Sequence, residues 1–261
     1  MADEEKVAVR ALDLISSPPG RFFLDEVRRS MPDATSSPDL SAHEPEVARL
    51  LHACIDGYWF QAQPFSPPVD PELVALAELL AASPRFRWWR EALPDGSVPV
   101  RSITGQESGT GLGPEIESGW ESLPNGVPWG VLDTPESAPF ISALFGNKYR
   151  HETVSSILQV DGRTWPIRGP GDWVRLCRSY PRPVHPSQKD YWEDWLSRMD
   201  GTPPAEVVLP DWEALKKDWD AVYLSPWGYA TCEGRLLKEH GESFFLVGWE
   251  PCMLLLHGPL A

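Results

Sequence analysis

The spacing of apolar residues changes along this chain, and that change decides which folds are open to it. Through the first ninety positions they recur every three or four residues, and over the last 110 they gather in short contiguous runs bounded by turn residues. A 3.6-residue period builds helices with one apolar stripe, whereas short apolar runs suit strands buried in a sheet. Ala8, Ala11, Leu12 and Ile15 predict a first helix, which Pro18-Pro19-Gly20 stops. A short helix is expected from Phe22 to Arg29. Val47, Leu50, Leu51 and Cys54, after Pro45 in a first turn, predict another helix. Leu73, Leu76, Ala77 and Leu80 predict a further amphipathic one. MPDATSSPDLSA and QPFSPPVDP read as the loops between them.

Toward the C-terminus, SSILQV, Asp161-Gly162 and RTWPI read as a β-hairpin, because Asp-Gly supplies the positive φ angles of a type I′ turn. Trp173, Leu176, Cys177 and Tyr180 then mark one stripe of a helix with Asp172 near its start. Tyr191, Trp192 and Trp195 predict a short helix. Asp211 is the expected N-cap of a helix carrying Trp212, Leu215 and Trp219. AVYLS, SFFLVGW and CMLLLHG read as strands. Residues 94–150, rich in Gly, Pro, Ser and Glu, predict irregular structure with one or two short strands. The expected fold class is therefore α+β. A helical N-terminal part (1–93) packs, through the region of Trp88 and Trp89, on a tryptophan-rich α+β part (151–261) with a mixed or antiparallel sheet. Residues 94–150 form a loop-rich connection.

Charge narrows the function classes. The formal net charge is −15, which disfavours the counterion release that drives nucleic-acid binding and repels anionic membranes. The opening MADEEKVAVR has neither a basic segment nor an apolar run of the kind a secretory signal needs. No stretch reaches the ~20 apolar residues of a membrane span. A cytoplasmic location is expected, with neither nucleic acid nor membrane as partner. Cys54, Cys177, Cys232 and Cys252 form no CxxC pair and have no histidine at zinc-like spacing. They are expected as free thiols, Cys54 and Cys177 filling a core, with no metal and no cofactor.

Motifs for specific chemistry are weak. Gly109-Thr110-Gly111-Leu112-Gly113 suggests a phosphate loop, but Pro114, Glu115 and Glu117 follow it, and carboxylates repel phosphate. His151-Glu152 opens HETVS, which lacks the second histidine of a zincin helix. His185 lies in a proline-flanked loop beside Asp190 and Tyr191. Neither a nucleophile elbow nor a Walker motif occurs. No catalytic residue is assigned, and whether the chain is an enzyme stays open.

The tryptophans are the strongest compositional signal: thirteen in all, eight of them between Trp165 and Trp249. A buried indole fills a core, while an exposed one stacks planar groups or holds cations against its face. Glu193, Asp194, Asp211, Asp218, Asp220 and Glu250 would favour a cation if they meet the rings rather than line solvated helix faces. The candidate ligand-binding set is Asp220, Tyr223, Ser225, Trp227 and Tyr229, from the strand end DAVYLSPWGY, with Trp249, Glu250, His185 and Tyr191.

Three segments carry a resemblance. GPGDWVRLCRSYP, Pro210-Asp211-Trp212 with Trp219-Asp220-Ala221-Val222-Tyr223-Leu224-Ser225 and Gly228-Tyr229, and Gly248-Trp249-Glu250-Pro251 resemble a tryptophan-rich group of actinobacterial, Streptomyces-type proteins over residues 165–251. That group often carries histidine where this chain has Tyr223, and threonine where it has Ser225. The resemblance implies a bacterial cytosolic origin and a shared architecture, and brings no activity with it. Three function classes follow from the residues. One is a binding protein for a small planar or cationic ligand, or for a protein partner, through an aromatic, acidic pocket. Another is an enzyme of specialised metabolism or protein modification, with Tyr223, Tyr229, Asp220, Glu250 and His185 or His151 converging. The last is an immunity or regulatory interaction protein with an exposed apolar patch.

Overall fold

In the computed structural model the described residues are 2–31, 40, 43–61, 70–91, 93, 98–103, 129–134, 137–138, 141, 154–185, 196 and 204–257. Helices α1 (Ala2–Ile15), α2 (Pro18–Ser30), α3 (Glu44–Gln61) and α4 (Pro71–Ala82) form the N-terminal layer. Their stripes follow the sequence pattern closely: Val47, Leu50, Leu51 and Cys54 are buried on α3, and Leu73, Leu76, Ala77 and Leu80 on α4. Helix α1 is rotated from the expected face. Ala11, Leu14 and Ile15 are buried, whereas Leu12 is 60% exposed. Helix α1 stops at Ile15, ahead of the prolines as expected, and Pro18 and Pro19 also open α2, whose N-cap Ser17 accepts from the Gly20 amide at 3.0 Å. Proline suits a first turn, where its missing N–H has no intrahelical role.

Among the described residues, ten strands and three further α-helices follow: β1 (Val98–Ile103), β2 (Trp129–Leu132), β3 (Val154–Val160), β4 (Thr164–Ile167), α5 (Pro170–Ser179), β5 (Pro181–Val184), β6 (Val207–Pro210), α6 (Trp212–Leu215), β7 (Ala221–Leu224), α7 (Pro226–Cys232), β8 (Leu236–Glu239), β9 (Glu242–Phe245) and β10 (Met253–Leu255). Both sheets are mixed. One runs β5-β6-β9-β8, with β6 and β9 parallel. Its β8–β9 hairpin turns at His240-Gly241, both at positive φ (52° and 83°), as a two-residue I′ turn needs.

The other sheet runs β3-β1-β2-β10-β7-β4 and departs from the expected hairpin. Strands β3 and β4 do not pair. β3 pairs with β1 and β4 runs parallel to β7, so the two lie at opposite ends of the order. Gly162 is not among the left-handed glycines, which are Gly234, Gly241 and Gly248. Four antiparallel steps and one parallel step leave β3 and β4 running the same way. They are two halves of one bent strand.

Chain length then forces closure. From Val160 to Thr164 the chain reaches at most about 14 Å, but five strand spacings across a flat sheet span about 24 Å. The sheet must curl until its ends meet. The pairings trace the ring directly: Ser156 opposes Ser102, then Gly130, Met253, Tyr223 and Pro166 in turn. Pro166 lies ten residues beyond Ser156 on the same bent strand, which is the stagger of the five-membered barrel. Val100, Val160, Ala221, Tyr223, Met253 and Leu255 fill its interior. The strands of residues 94–150 are thus inner members of this ring.

The barrel's outer face joins the helices. Ile167, Val222, Leu224 and Leu254 belong to one continuous core with α1–α4. The contact goes mainly through α7, whose seven residues are all buried. The Ser17 hydroxyl donates to the Ala230 carbonyl, and Arg235 pairs with Asp13 at 3.0 Å. The 3-10 turn Arg87–Trp89 meets α7, so the region of Trp88 and Trp89 lies at the junction of the two parts, with Trp89 packed on Phe23 and Phe86. The neighbouring Arg90 adds to the junction, with its guanidinium 5.5 Å from the Trp227 ring centre. Among the described residues, no helix is long and apolar enough to cross a membrane.

Candidate functional site

The segment from Asp220 to Tyr229 is where the fold is held together. Asp220 clasps the bend of the barrel strand: its amide donates to the Arg163 carbonyl at 2.8 Å, and its Oδ2 accepts the Arg163 amide at 2.7 Å. A Cβ on Gly162 would collide with the Asp220 side chain, so only glycine fits beneath the clasp. His257 Nε2 lies 3.8 Å from Asp220 Oδ1. Tyr223 points into the barrel, 3% exposed, and burial raises its phenol well above the ordinary value. Ser225 caps α7 by accepting the Gly228 amide at 2.9 Å. Gly228 packs against the Ile167 carbonyl, again leaving no room for a side chain.

The other candidates lie elsewhere. Trp227 and Tyr229 are buried in the main core, while Tyr223 belongs to the separate barrel interior. Trp249 sits edge-to-face with Trp173 at 6.1 Å and with Trp212 at 5.9 Å. Glu250 follows it, half-buried, and His185 is exposed just past β5. Tyr191 and His151, the glycine-rich loop at 109–113, Glu193, Asp194 and the short helix expected around Trp195 lie outside the described residues. Among the described candidates, the two phenols that an enzyme site would share, Tyr223 and Tyr229, are in different interiors. All four cysteines are buried free thiols. Burial raises each thiol, which keeps it protonated and unreactive near neutral pH. Among the described residues, no cluster of His, Cys, Asp and Glu could hold a metal.

A different aromatic group does reach the surface. Trp165 on β4, Tyr180 just after α5 and Trp219 just before β7 are each half-buried. The Trp165 ring meets Trp219 at 5.0 Å and Tyr180 at 6.4 Å, both edge-to-face. A hydrogen-bond relay fixes the outer two: Trp219 Nε1 donates to the Tyr180 hydroxyl at 3.0 Å, which donates to Asp218 Oδ2 at 2.9 Å. Burial raises the Tyr180 phenol, and the bond to Asp218 adds to the rise. Asp218 is exposed. The Arg175 guanidinium lies 5.9 Å from the Trp165 ring centre.

This corner draws on positions 165, 180 and 219, each visible in the sequence as part of another pattern. Tyr180 closes a helical stripe, Trp219 extends one, and Trp165 sits in an apparent hairpin arm. What joins them is the parallel pairing of β4 with β7, which brings Trp165 opposite Val222, three residues after Trp219. No family model matches the chain, and neither a curated protein nor a solved structure matches it.

Proposed function

We propose that the protein is a bacterial cytosolic binding protein that holds a cationic group against the corner of Trp165, Tyr180 and Trp219, with Asp218 as counter-charge. The observation that carries this reading is the Arg175 guanidinium over Trp165: the ring already takes a cation on its face. An aromatic face attracts a cation through its quadrupole, and each such contact contributes about 0.5–1 kcal/mol at an exposed site. The relay through Tyr180 holds the Asp218 carboxylate beside the rings. The net charge of −15 draws cations toward the molecule and raises their encounter rate.

Calorimetric titration tests the reading with paired probes of matched shape, tetramethylammonium against tert-butanol and ethylguanidinium against N-ethylurea. The cations should bind saturably and the neutral partners should not. Trp219→Leu should abolish the binding, and Asp218→Asn should weaken it up to about fivefold, the reach of one exposed charge pair. Equal behaviour of charged and neutral probes would overturn it.

A further inference from the structure

We infer that the ligand of this corner is a guanidinium group, and that Arg175 is its built-in competitor. The inference rests on the cation-binding reading above and specifies what the corner takes. Arg175 projects from α5 with its side chain 60% exposed, pairs with Asp172 Oδ1, and lies over Trp165. It is the chain's own example of the chemistry the ring face accepts: a planar cation that stacks as well as attracts.

The way Asp172 is held makes Arg175 removable. Asp172 is 12% exposed, so an orphaned carboxylate there would carry a desolvation penalty. It is not orphaned when Arg175 leaves. Its Oδ2 accepts the Arg168 amide at 2.9 Å and Arg168 Nε at 3.0 Å, and its Oδ1 also accepts Arg168 Nη2 at 3.4 Å. Arg175 adds one exposed arm to a carboxylate already satisfied. An incoming guanidinium can therefore take the Trp165 face while Arg175 swings into solvent, and Asp218, held at the Tyr180 hydroxyl, adds negative charge to the same corner.

Two sources share this chemistry: a free arginine derivative, and an arginine side chain displayed by a partner chain. Titrating the full-length protein and Arg175→Ala with N-acetylarginine amide, a glycine-flanked arginine peptide and tetramethylammonium separates the outcomes. Arg175→Ala should bind both arginine probes about two- to fivefold more tightly than the unmodified protein, the share one exposed cation–π contact carries. Arg175→Lys should fall between them, because it keeps the charge and loses the planar group. Both arginine probes should outcompete tetramethylammonium. Tighter binding of the peptide points to a displayed side chain, and equal binding to the guanidinium alone. If tetramethylammonium binds best, or Arg175→Ala binds no better than the unmodified protein, the guanidinium assignment is overturned while cation binding stands. If no cation binds either protein, the underlying reading falls as well.

Discussion

Replacing Gly162 separates two accounts of the bent strand. In the folded chain a Cβ at this position would meet the Cβ, Cγ and Oδ2 atoms of Asp220. Asp220 cannot retreat freely, because its backbone N–H and its carboxylate both bond to Arg163, and its carbonyl accepts the Leu256 amide at 2.9 Å. Gly162→Ala should therefore cost about 1–3 kcal/mol, the range for adding a methyl to filled space. At ~2–4 °C per kcal/mol for a chain of this size, Tm should fall by roughly 2–12 °C. Gly162→Asn is the discriminating variant. A tight I′ turn at Asp161-Gly162 would tolerate asparagine, which adopts positive φ readily. The clasp does not, because asparagine is larger than alanine and meets the same atoms. Urea unfolding of both variants reads the difference. A stability order of glycine, then alanine, then asparagine fits the clasp, and Gly162→Asn as stable as the unmodified chain would refute it.

Two further perturbations probe the rest of the fold. Arg90 donates to the Leu80 and Ser83 carbonyls at the end of α4 at 2.8 and 3.0 Å while covering Trp227, and burial, with Arg10 nearby, lowers its pKa to about 10. Arg90→Met keeps the apolar stem and should lose about 1–3 kcal/mol in urea unfolding; no loss would mean that the junction between helices and barrel does not depend on it. Stability should also fall in alkali. Cys54, Cys177, Cys232, Cys252 and Tyr223 all hold their protons more tightly when folded than when unfolded. The unfolded chain then binds fewer protons above the ordinary thiol value of 9.0, so unfolding free energy decreases as pH rises, by up to about 1.4 kcal/mol per pH unit for each group. The contribution is intact below pH 9.0, and a flat profile up to pH 10.5 would contradict the burial of these side chains.

How much of this was legible depended on whether the signal was local. Helices α3 and α4 were readable because their stripes need only residues three and four apart. Asp211 was readable as a cap for the same reason, accepting the Glu213 and Ala214 amides at 3.1 and 3.0 Å. On α1 the period was right and the phase was not: Val9 and Leu12 are as apolar as Leu14, and only the packing partner selects the buried face. Strands β5 and β6 were missed because PRPV and VVLP are too short and too rich in proline to show alternation. β8 was missed although His240-Gly241 marks its turn, because histidine signals positive φ less strongly than asparagine. The hairpin error is the instructive one. Asp161-Gly162 looks the same whether glycine supplies a positive φ or makes room for Asp220, and only the distant partner decides. The split of Tyr223 from Tyr229 between two interiors was hidden for a related reason. Tyr223, Trp227 and Tyr229 form an aromatic-rich strand end, a pattern shared by a binding loop and a packed corner. The surface corner was hidden because Trp165, Tyr180 and Trp219 meet only through the pairing of β4 with β7.

The most direct test observes the indole N–H groups by NMR while N-acetylarginine amide is added, with Trp165→Phe and Trp219→Phe assigning two of the thirteen tryptophan signals. Recognition at the surface corner predicts saturable shifts in the Trp165 and Trp219 signals, with Trp89, Trp173 and Trp249, all buried, left in place. Unmoved signals from Trp165 and Trp219, or shifts confined to the buried indoles, would contradict it.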